Sequence, residues 1–202
     1  MQVLLQFYKN LYQENHNWFK TALFWFVLAT VLGVLTFFSY PDLLEELLNV
    51  FRDKFGENPA LDFNLVWGIF QQNLIVSLIA LFGGLLFGIG SVLVLVANGF
   101  ILGYIVTSLF VINKDNFFGS LALVMAGIVP HGILELPIFI LTSSLGLKFG
   151  LEYLNLESKG HRWEVFKANL KKVLFSLPLI ALVLFIAALI EVFISGNLVG
   201  SF

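Results

Sequence analysis

Residues 65–109 read LVWGIFQQNLIVSLIALFGGLLFGIGSVLVLVANGFILGYIVTSL and contain no aspartate, glutamate, lysine or arginine. A membrane-spanning helix needs about 20 predominantly apolar residues. The run is about twice that length, so it predicts two spans joined by a tight turn. Glycine adopts backbone conformations that turns require. The chain is therefore expected to reverse at the glycines of this run, Gly83, Gly84, Gly88 and Gly90.

The whole chain has the composition of an integral membrane protein. Of its 202 residues 59% are hydrophobic, and the mean hydropathy is +0.93, whereas a soluble domain has about 45–50% apolar residues. Membrane lipid is therefore the expected environment. The net charge is −2 and there is no basic patch for phosphate binding, so nucleic acid is not an expected partner. Cysteine is absent, which excludes disulfides and thiolate metal sites.

Further apolar runs complete the predicted bundle. We expect an all-α polytopic membrane protein with one membrane domain over residues 1–202. Its five spans are predicted at approximately residues 19–39, 65–87, 90–111, 117–145 and 173–194. The fourth span is expected to be broken at Pro130 and Pro137, because proline removes a backbone donor and clashes with the preceding turn of a helix. The alternative is that this segment re-enters at its prolines instead of crossing.

The lysines and arginines predict the orientation, because cytoplasmic loops are enriched in them. With five spans, eight fall on the side of the N-terminus: Lys9, Lys20, Lys148, Lys159, Arg162, Lys167, Lys171 and Lys172. Three fall on the other side: Arg52, Lys54 and Lys114. We therefore expect a multi-pass protein of the cell membrane, with the N-terminus in the cytoplasm and residues 40–64 outside.

Segments beside the spans are predicted to form amphipathic interfacial helices. In residues 41–55 the leucines fall on one helical face, and acidic residues occupy the first turn, where the helix dipole favours them. Residues 3–18 show a similar pattern. Residues 147–172 are interpreted as two short helices broken near Gly160. Either these helices only anchor the bundle, or one of them docks a partner.

Two ionisable residues lie in the predicted fourth span, in the sequence Pro130-His131-Gly132-Ile133-Leu134-Glu135. Ionisable groups are costly at bilayer depth and are therefore candidate functional residues. On a continuous helix, His131 and Glu135 would share one face. We expect them to form a buried polar cluster with two amides of neighbouring spans, Asn73 and Asn98. Glu191, near the end of the last span, is expected to reach the interface instead.

Three roles are open for this cluster. Its members could hydrogen-bond and pin the helices in register, or His131 and Glu135 could be two ligands of a divalent metal ion such as zinc. Asn73, Asn98, water or a second subunit would then complete the site. The third role is catalysis or proton relay, because histidine titrates near neutral pH. The chain has no His-Glu-x-x-His motif, nucleophile elbow or P-loop, so we expect no enzymatic activity.

Small residues four positions apart allow two helix backbones to approach closely. The second and third spans carry two such pairs, Gly84 with Gly88 and Gly99 with Gly103. They predict close helix packing, either within the chain or across a homodimer.

Three sequence elements together resemble the stage II sporulation protein M family of bacterial and archaeal membrane proteins. They are Phe70-Gln71-Gln72-Asn73, Asn98-Gly99-x-x-x-Gly103 and Pro130-His131-Gly132-x-x-Glu135. The resemblance covers most of the chain, and Gln72-Asn73 stands where the family often has two adjacent asparagines. It implies a non-enzymatic membrane scaffold that recruits peptidoglycan-remodelling enzymes, the cell-wall hydrolases, during sporulation. The alternative is a transporter or permease subunit, since transporters often place ionisable groups beside broken helices at mid-membrane.

Overall fold

The structure is a computed structural model that describes residues 2–56, 59–152 and 160–199. The described residues form helices joined by short turns, which confirms the predicted all-α fold class. The helices are α1 Gln2–Ser39, α2 Leu43–Phe55, α3 Phe63–Phe82, α4 Ile89–Ile112, α5 Phe117–Gly127, α6 Val129–Glu152, α7 Arg162–Ile190 and α8 Gly196–Val199. A 3₁₀ turn, Gly83–Leu85, joins α3 to α4, and a π-helical segment, Glu191–Ser195, joins α7 to α8.

Five helices are long and apolar enough to cross a membrane, as the sequence predicts. They are α1, α3, α4, α6 and α7, the last together with its continuation. Contacts define two ends of the bundle. At the end that carries α2, the ring centroids of Phe63 in α3 and Phe193 after α7 lie 5.5 Å apart. At the same end, the Tyr104 hydroxyl of α4 donates to the carbonyl of Tyr40 at 2.7 Å. We call this the α2 end, and the α3–α4 turn lies at the opposite end.

The turn inside residues 65–109 lies where the glycines predict it. Helix α3 ends at Phe82, the 3₁₀ turn follows, and α4 begins after Gly88. Gly88 has φ +77°, a left-handed conformation that glycine adopts at little cost. The backbones of Gly83 and Gly90 are in contact across the turn. Gly88 thus begins a helix, and its backbone nitrogen would lie 3.0 Å from a Cβ atom added to Gly150 in α6.

Helices α1 and α4 make the most extensive contact in the bundle, and glycines let their backbones meet. A Cβ atom added to Gly103 would fall on the carbonyl oxygen of Thr30 in α1, and one added to Gly99 would lie 2.5 Å from that of Phe26. Gly33 of α1 makes the reciprocal approach to the carbonyl of Phe100. These glycines therefore serve packing within the chain.

Helix α6 is the most buried of the spanning helices and packs against α1, α3, α4 and α7. A Cβ atom on Gly84 would fall on the carbonyl oxygen of Gly146, and one on Gly150 would fall on that of Gly84. Gly146 and Gly150 form a third pair of small residues four apart, which the sequence analysis did not single out. This contact holds α6 at the centre of the bundle.

The fourth predicted span, residues 117–145, is broken once, before Pro130, so that α6 is the helix long enough to cross a membrane and α5 is a shorter apolar helix. Helix α5 ends at Gly127 and α6 begins at Val129, so Pro130 lies in a first turn, where a missing N–H costs little. The break expected at Pro137 is wrong, because α6 continues through it. A proline inside a membrane helix is tolerated where neighbouring helices hold the surrounding turns, and the residues after Pro137 are buried against such neighbours.

Of the predicted interfacial helices, only α2 is a separate element. Residues 3–18 belong to the continuous helix α1, because no helix-breaking residue separates them from the first span. The described residues of 147–172 lie in the end of α6 and the start of α7, so the expectation of two short separate helices is wrong for them. Gly160, with φ +97°, precedes α7, and residue 154 lies outside the described residues.

Asp62 caps the start of α3. Its side chain accepts hydrogen bonds from the backbone N–H groups of Leu65 at 3.0 Å and Asn64 at 2.9 Å, which satisfies donors that a helix start leaves free. These bonds, that of Leu65 first, hold the pKa of Asp62 below its usual range. The cap fixes the α2 end of α3, the helix that carries Asn73.

Replacing Gly103 by alanine should destabilise the α1–α4 contact. The new methyl group meets the Thr30 carbonyl, and overpacking of this kind costs about 1–3 kcal/mol. Gly132→Ala is the matched control, since a Cβ atom there has nothing within 4 Å and alanine favours a helix. Thermal unfolding in detergent should show a lower midpoint for Gly103→Ala only. Equal midpoints for the two variants would contradict the packing role of Gly103.

Candidate functional site

Three ionisable side chains meet inside the bundle: His131 and Glu135 from the first turns of α6, and Glu191 from the π-helical segment. One ring nitrogen of His131 and one carboxylate oxygen from each glutamate lie within 4.8 Å of one another. All three residues are half-buried. We call this set the His–Glu–Glu cluster.

The cluster lies within the apolar part of the bundle, nearer the α2 end. A helix rises about 1.5 Å per residue, so Glu135 lies about 9 Å along α6 from its start and Asn73 about 15 Å along α3 from its start. Both helices start at the α2 end. The hydrocarbon core of a bilayer is about 30 Å thick, which places the cluster where lone charges are costly.

Two irregularities of the helices bring the cluster together. The break before Pro130 ends α5, so that His131 and Glu135 lie four residues apart on one face of a new helix. At the end of α7 the backbone N–H of Glu191 donates to the carbonyls of both Ala187 and Ala188, and the π-helical segment begins there. A π-helical turn is a rare local widening that often occurs at functional sites, and here it includes Glu191.

Three neighbouring polar residues differ in how closely they contact the cluster. The Asn73 side-chain amide donates to Oε1 of Glu135. The buried Ser195 hydroxyl lies 3.5 Å from Nδ1 of His131. Asn98 lines the same cavity as His131 and Glu135, but its amide nitrogen donates to the Val94 carbonyl of its own helix at 2.8 Å. Asn73 thus hydrogen-bonds directly to Glu135, whereas Asn98 only lines the cavity beside the cluster.

Glu191 is the member that the sequence analysis missed. It was expected to reach the interface, and this is wrong because it is half-buried and faces His131 and Glu135. A usable signal was present, since Glu191 is the one acidic residue in the apolar run of residues 173–199. The cost of placing charge in a membrane, which singled out His131 and Glu135, applies equally to it.

Members of the cluster line two cavities. One, of about 200 Å³, is bounded by α4 and α6 and lined by His131, Glu135 and Asn98. The other, of about 240 Å³, is lined by Glu191 and Ser195 and by residues that precede α3. A water molecule takes about 30 Å³ of liquid volume, so each cavity has room for several. The cluster is therefore accessible to water-sized ligands.

The charges of the cluster set its chemistry. In the described part of the chain, neither Glu135 nor Glu191 forms an ion pair with a lysine or arginine. Two adjacent carboxylates in a weakly polar environment need a cation, a shared proton or several hydrogen-bond donors. The arrangement can thus bind a cation or form a protonated hydrogen-bonded network.

The sequence model of the stage II sporulation protein M family matches residues 22–196, which include the whole cluster. The chain belongs to the stage II sporulation protein M family. The match extends from α1 into α8, and the resemblance seen in the sequence is confirmed.

A relative of this stage II sporulation protein M family member occurs in the archaeon Methanocaldococcus jannaschii. It is an uncharacterized protein, 33% identical over 144 residues, which cover 69% of this chain and 75% of the relative. No solved structure matches the chain. Membership in the family and a multi-pass membrane fold are thus shown.

Substitution of the two asparagines should separate their roles. Asn73→Leu removes the donor to Glu135 and leaves its carboxylate short of a partner, so we expect a loss of about 0.6–2 kcal/mol, the range for hydrogen bonds between membrane helices. Asn98→Leu removes a bond within one helix and should cost less. Unfolding in mixed detergent micelles measures both changes. An equal or larger loss for Asn98→Leu would contradict this account.

Proposed function

We propose that this stage II sporulation protein M family member is a non-enzymatic membrane scaffold. It recruits and organises cell-envelope enzymes, with peptidoglycan-remodelling hydrolases as the partner class, and it acts as a homodimer. The observation that carries the proposal is the placement of α2, which is attached to the bundle at both ends while most of its described side chains are exposed.

Helix α2 is attached through polar contacts. Before its start, the Tyr104 hydroxyl of α4 donates to the carbonyls of Tyr40 at 2.7 Å and Pro41 at 3.0 Å. Near its end, the Lys54 ammonium donates to the side chain of Gln72 in α3. Within the described residues, α2 packs extensively against no other helix. It is therefore held in position without being buried.

The surface of α2 offers both charge and apolar area. Its first turn carries Glu45 and Glu46, and its last turn carries Arg52 and Lys54. Val50 is 68% exposed and Leu48 42% exposed. Apolar side chains surrounded by charged ones are typical of protein interaction sites and of interfacial helices. The loop charges support an outward-facing α2, on the side where envelope enzymes act.

The second candidate function is ion or solute transport. The observation that favours it is that the His–Glu–Glu cluster contributes to the walls of two cavities. Intramembrane ionisable groups beside water-accessible cavities are typical of transport pathways. This function needs a connected path across the bundle, whereas the scaffold needs only the surface of α2.

Single-cysteine variants can test the scaffold, because the chain has no cysteine of its own. We expect a thiol-linked photocrosslinker at Val50→Cys to form an adduct with an envelope enzyme in living cells, identified by mass spectrometry. Trp163→Cys is the control, since Trp163 is 64% exposed and lies in the first turn of α7, at the opposite end of the bundle. Adducts with lipid alone at position 50, or the same enzyme captured from position 163, would argue against docking on α2.

Proteoliposome flux separates the two functions. If the chain is a scaffold, neither the parent nor His131→Ala should conduct ions or solutes above empty liposomes. A flux in the parent that is abolished by both His131→Ala and Glu135→Ala would establish transport and remove the case for a scaffold alone. Flux should be measured for monovalent cations, divalent cations and protons, the ligands that the cluster's charges favour.

A further inference from the structure

We propose that the His–Glu–Glu cluster is a binding site for one divalent transition-metal ion, with His131, Glu135 and Glu191 as its protein ligands. The assignment of Glu191 completes a three-ligand set that the sequence alone left at two. This inference does not rest on the scaffold function, because an ion can stabilise a scaffold or a transporter alike.

The separations of the ligand atoms permit a single ion after rotation of the side chains. Ligand atoms bind Zn²⁺ at about 2.0–2.2 Å in a tetrahedral arrangement, so two ligand atoms of one ion lie about 3.3–3.6 Å apart. The three ligand atoms of the cluster already lie within 4.8 Å of one another. The longest separation must shorten by about 1.2–1.5 Å to fit a tetrahedral ion. Rotation about the side-chain bonds of the glutamates between their staggered conformations can supply a movement of this size.

The charge of the cluster favours a cation. Two carboxylates face each other inside the apolar part of the bundle, and in the described chain no lysine or arginine pairs with either. A divalent ion would neutralise both carboxylates at once. The neutral imidazole would add a nitrogen ligand at no cost in charge. Buried charges are tolerated in proteins when they are paired or bind a metal.

The surroundings resemble the outer shell of a metal site. Metal-binding carboxylates are usually fixed by hydrogen bonds from a second layer of residues, and Asn73 donates to Glu135 in this way. The Ser195 hydroxyl faces Nδ1 of His131 at 3.5 Å and can orient the ring. The adjoining cavities leave room for water as a fourth ligand. Three protein ligands plus water are typical of an open metal site.

The ligand types select the class of metal. Ca²⁺ and Mg²⁺ prefer sites made only of oxygen ligands. An imidazole together with carboxylates suits zinc and neighbouring transition metals better. We therefore assign the site to an ion such as Zn²⁺. It would fasten the start of α6 to the end of α7, two elements that the chain connects only through the opposite end of the bundle.

Metal titration of the full chain in detergent tests the site. After chelator treatment, Zn²⁺ alone should bind with one equivalent per chain and raise the thermal midpoint. His131→Gln, Glu135→Gln and Glu191→Gln should each weaken binding by more than about 100-fold, because loss of an outer-shell partner alone costs about 10- to 100-fold. Co²⁺ provides a spectroscopic readout, since its visible absorption should change when His131 no longer supplies nitrogen.

Glu164→Gln is the matched control. Glu164 pairs with His161 at 3.3 Å in an exposed His/Glu pair at the other end of the bundle, so its loss should leave the stoichiometry at one. Asn73→Ala keeps all three ligands and should weaken Zn²⁺ binding about 10- to 100-fold. This variant tests the site if a glutamine variant fails to fold. No Zn²⁺ bound by the parent, or parent-like affinity in Glu191→Gln, would overturn the proposal.

Discussion

The contact between α6 and the α3–α4 turn is the interaction on which the rest of the bundle depends. Gly84 meets Gly146, and Gly150 meets Gly84, with no room for a side chain between the backbones. In lipid, helices gain little from hydrophobic burial against each other, so close packing of small residues and interhelical hydrogen bonds must hold them together. This contact makes α6 the central helix, and its other end thereby places His131 and Glu135 between α3 and α7.

Much of the fold follows from the length and polarity of apolar runs. The five spanning helices, the turn at residues 83–88 and the separate helix α2 are all visible in the sequence, because a membrane fixes how long an apolar helix must be. The ends of α1, α6 and α7 are not visible in the same way. Helix formation does not stop at the membrane surface, so these helices continue through segments that a hydropathy pattern separates from the spans.

The candidate site could be predicted in part. The cost of buried charge identifies His131 and Glu135, and the same argument leads to Asn73 as a donor from another helix. Glu191 was missed because a residue near the end of a span can reach the interface, and the sequence does not show that a π-helical segment begins there. The periodicity of 3.6 residues, on which sequence reasoning about helix faces relies, does not hold through a wider turn. For Asn98 the sequence predicts a contact with the cluster, but its side-chain amide donates to a carbonyl of its own helix instead. A sequence does not distinguish these two uses of a buried asparagine.

The cluster and α2 are connected through two neighbouring residues of α3. Gln72 accepts a hydrogen bond from Lys54 of α2, and Asn73 donates to Glu135 of α6. A shift of α3 would therefore alter both contacts, and coupling between two sites requires such a shared element. An ion bound at the cluster would hold Glu135, and through it Asn73, in one position. The two proposals are thus compatible. A metal ion that holds α3 in position also holds Gln72, which binds Lys54 of α2, the helix proposed to contact a partner.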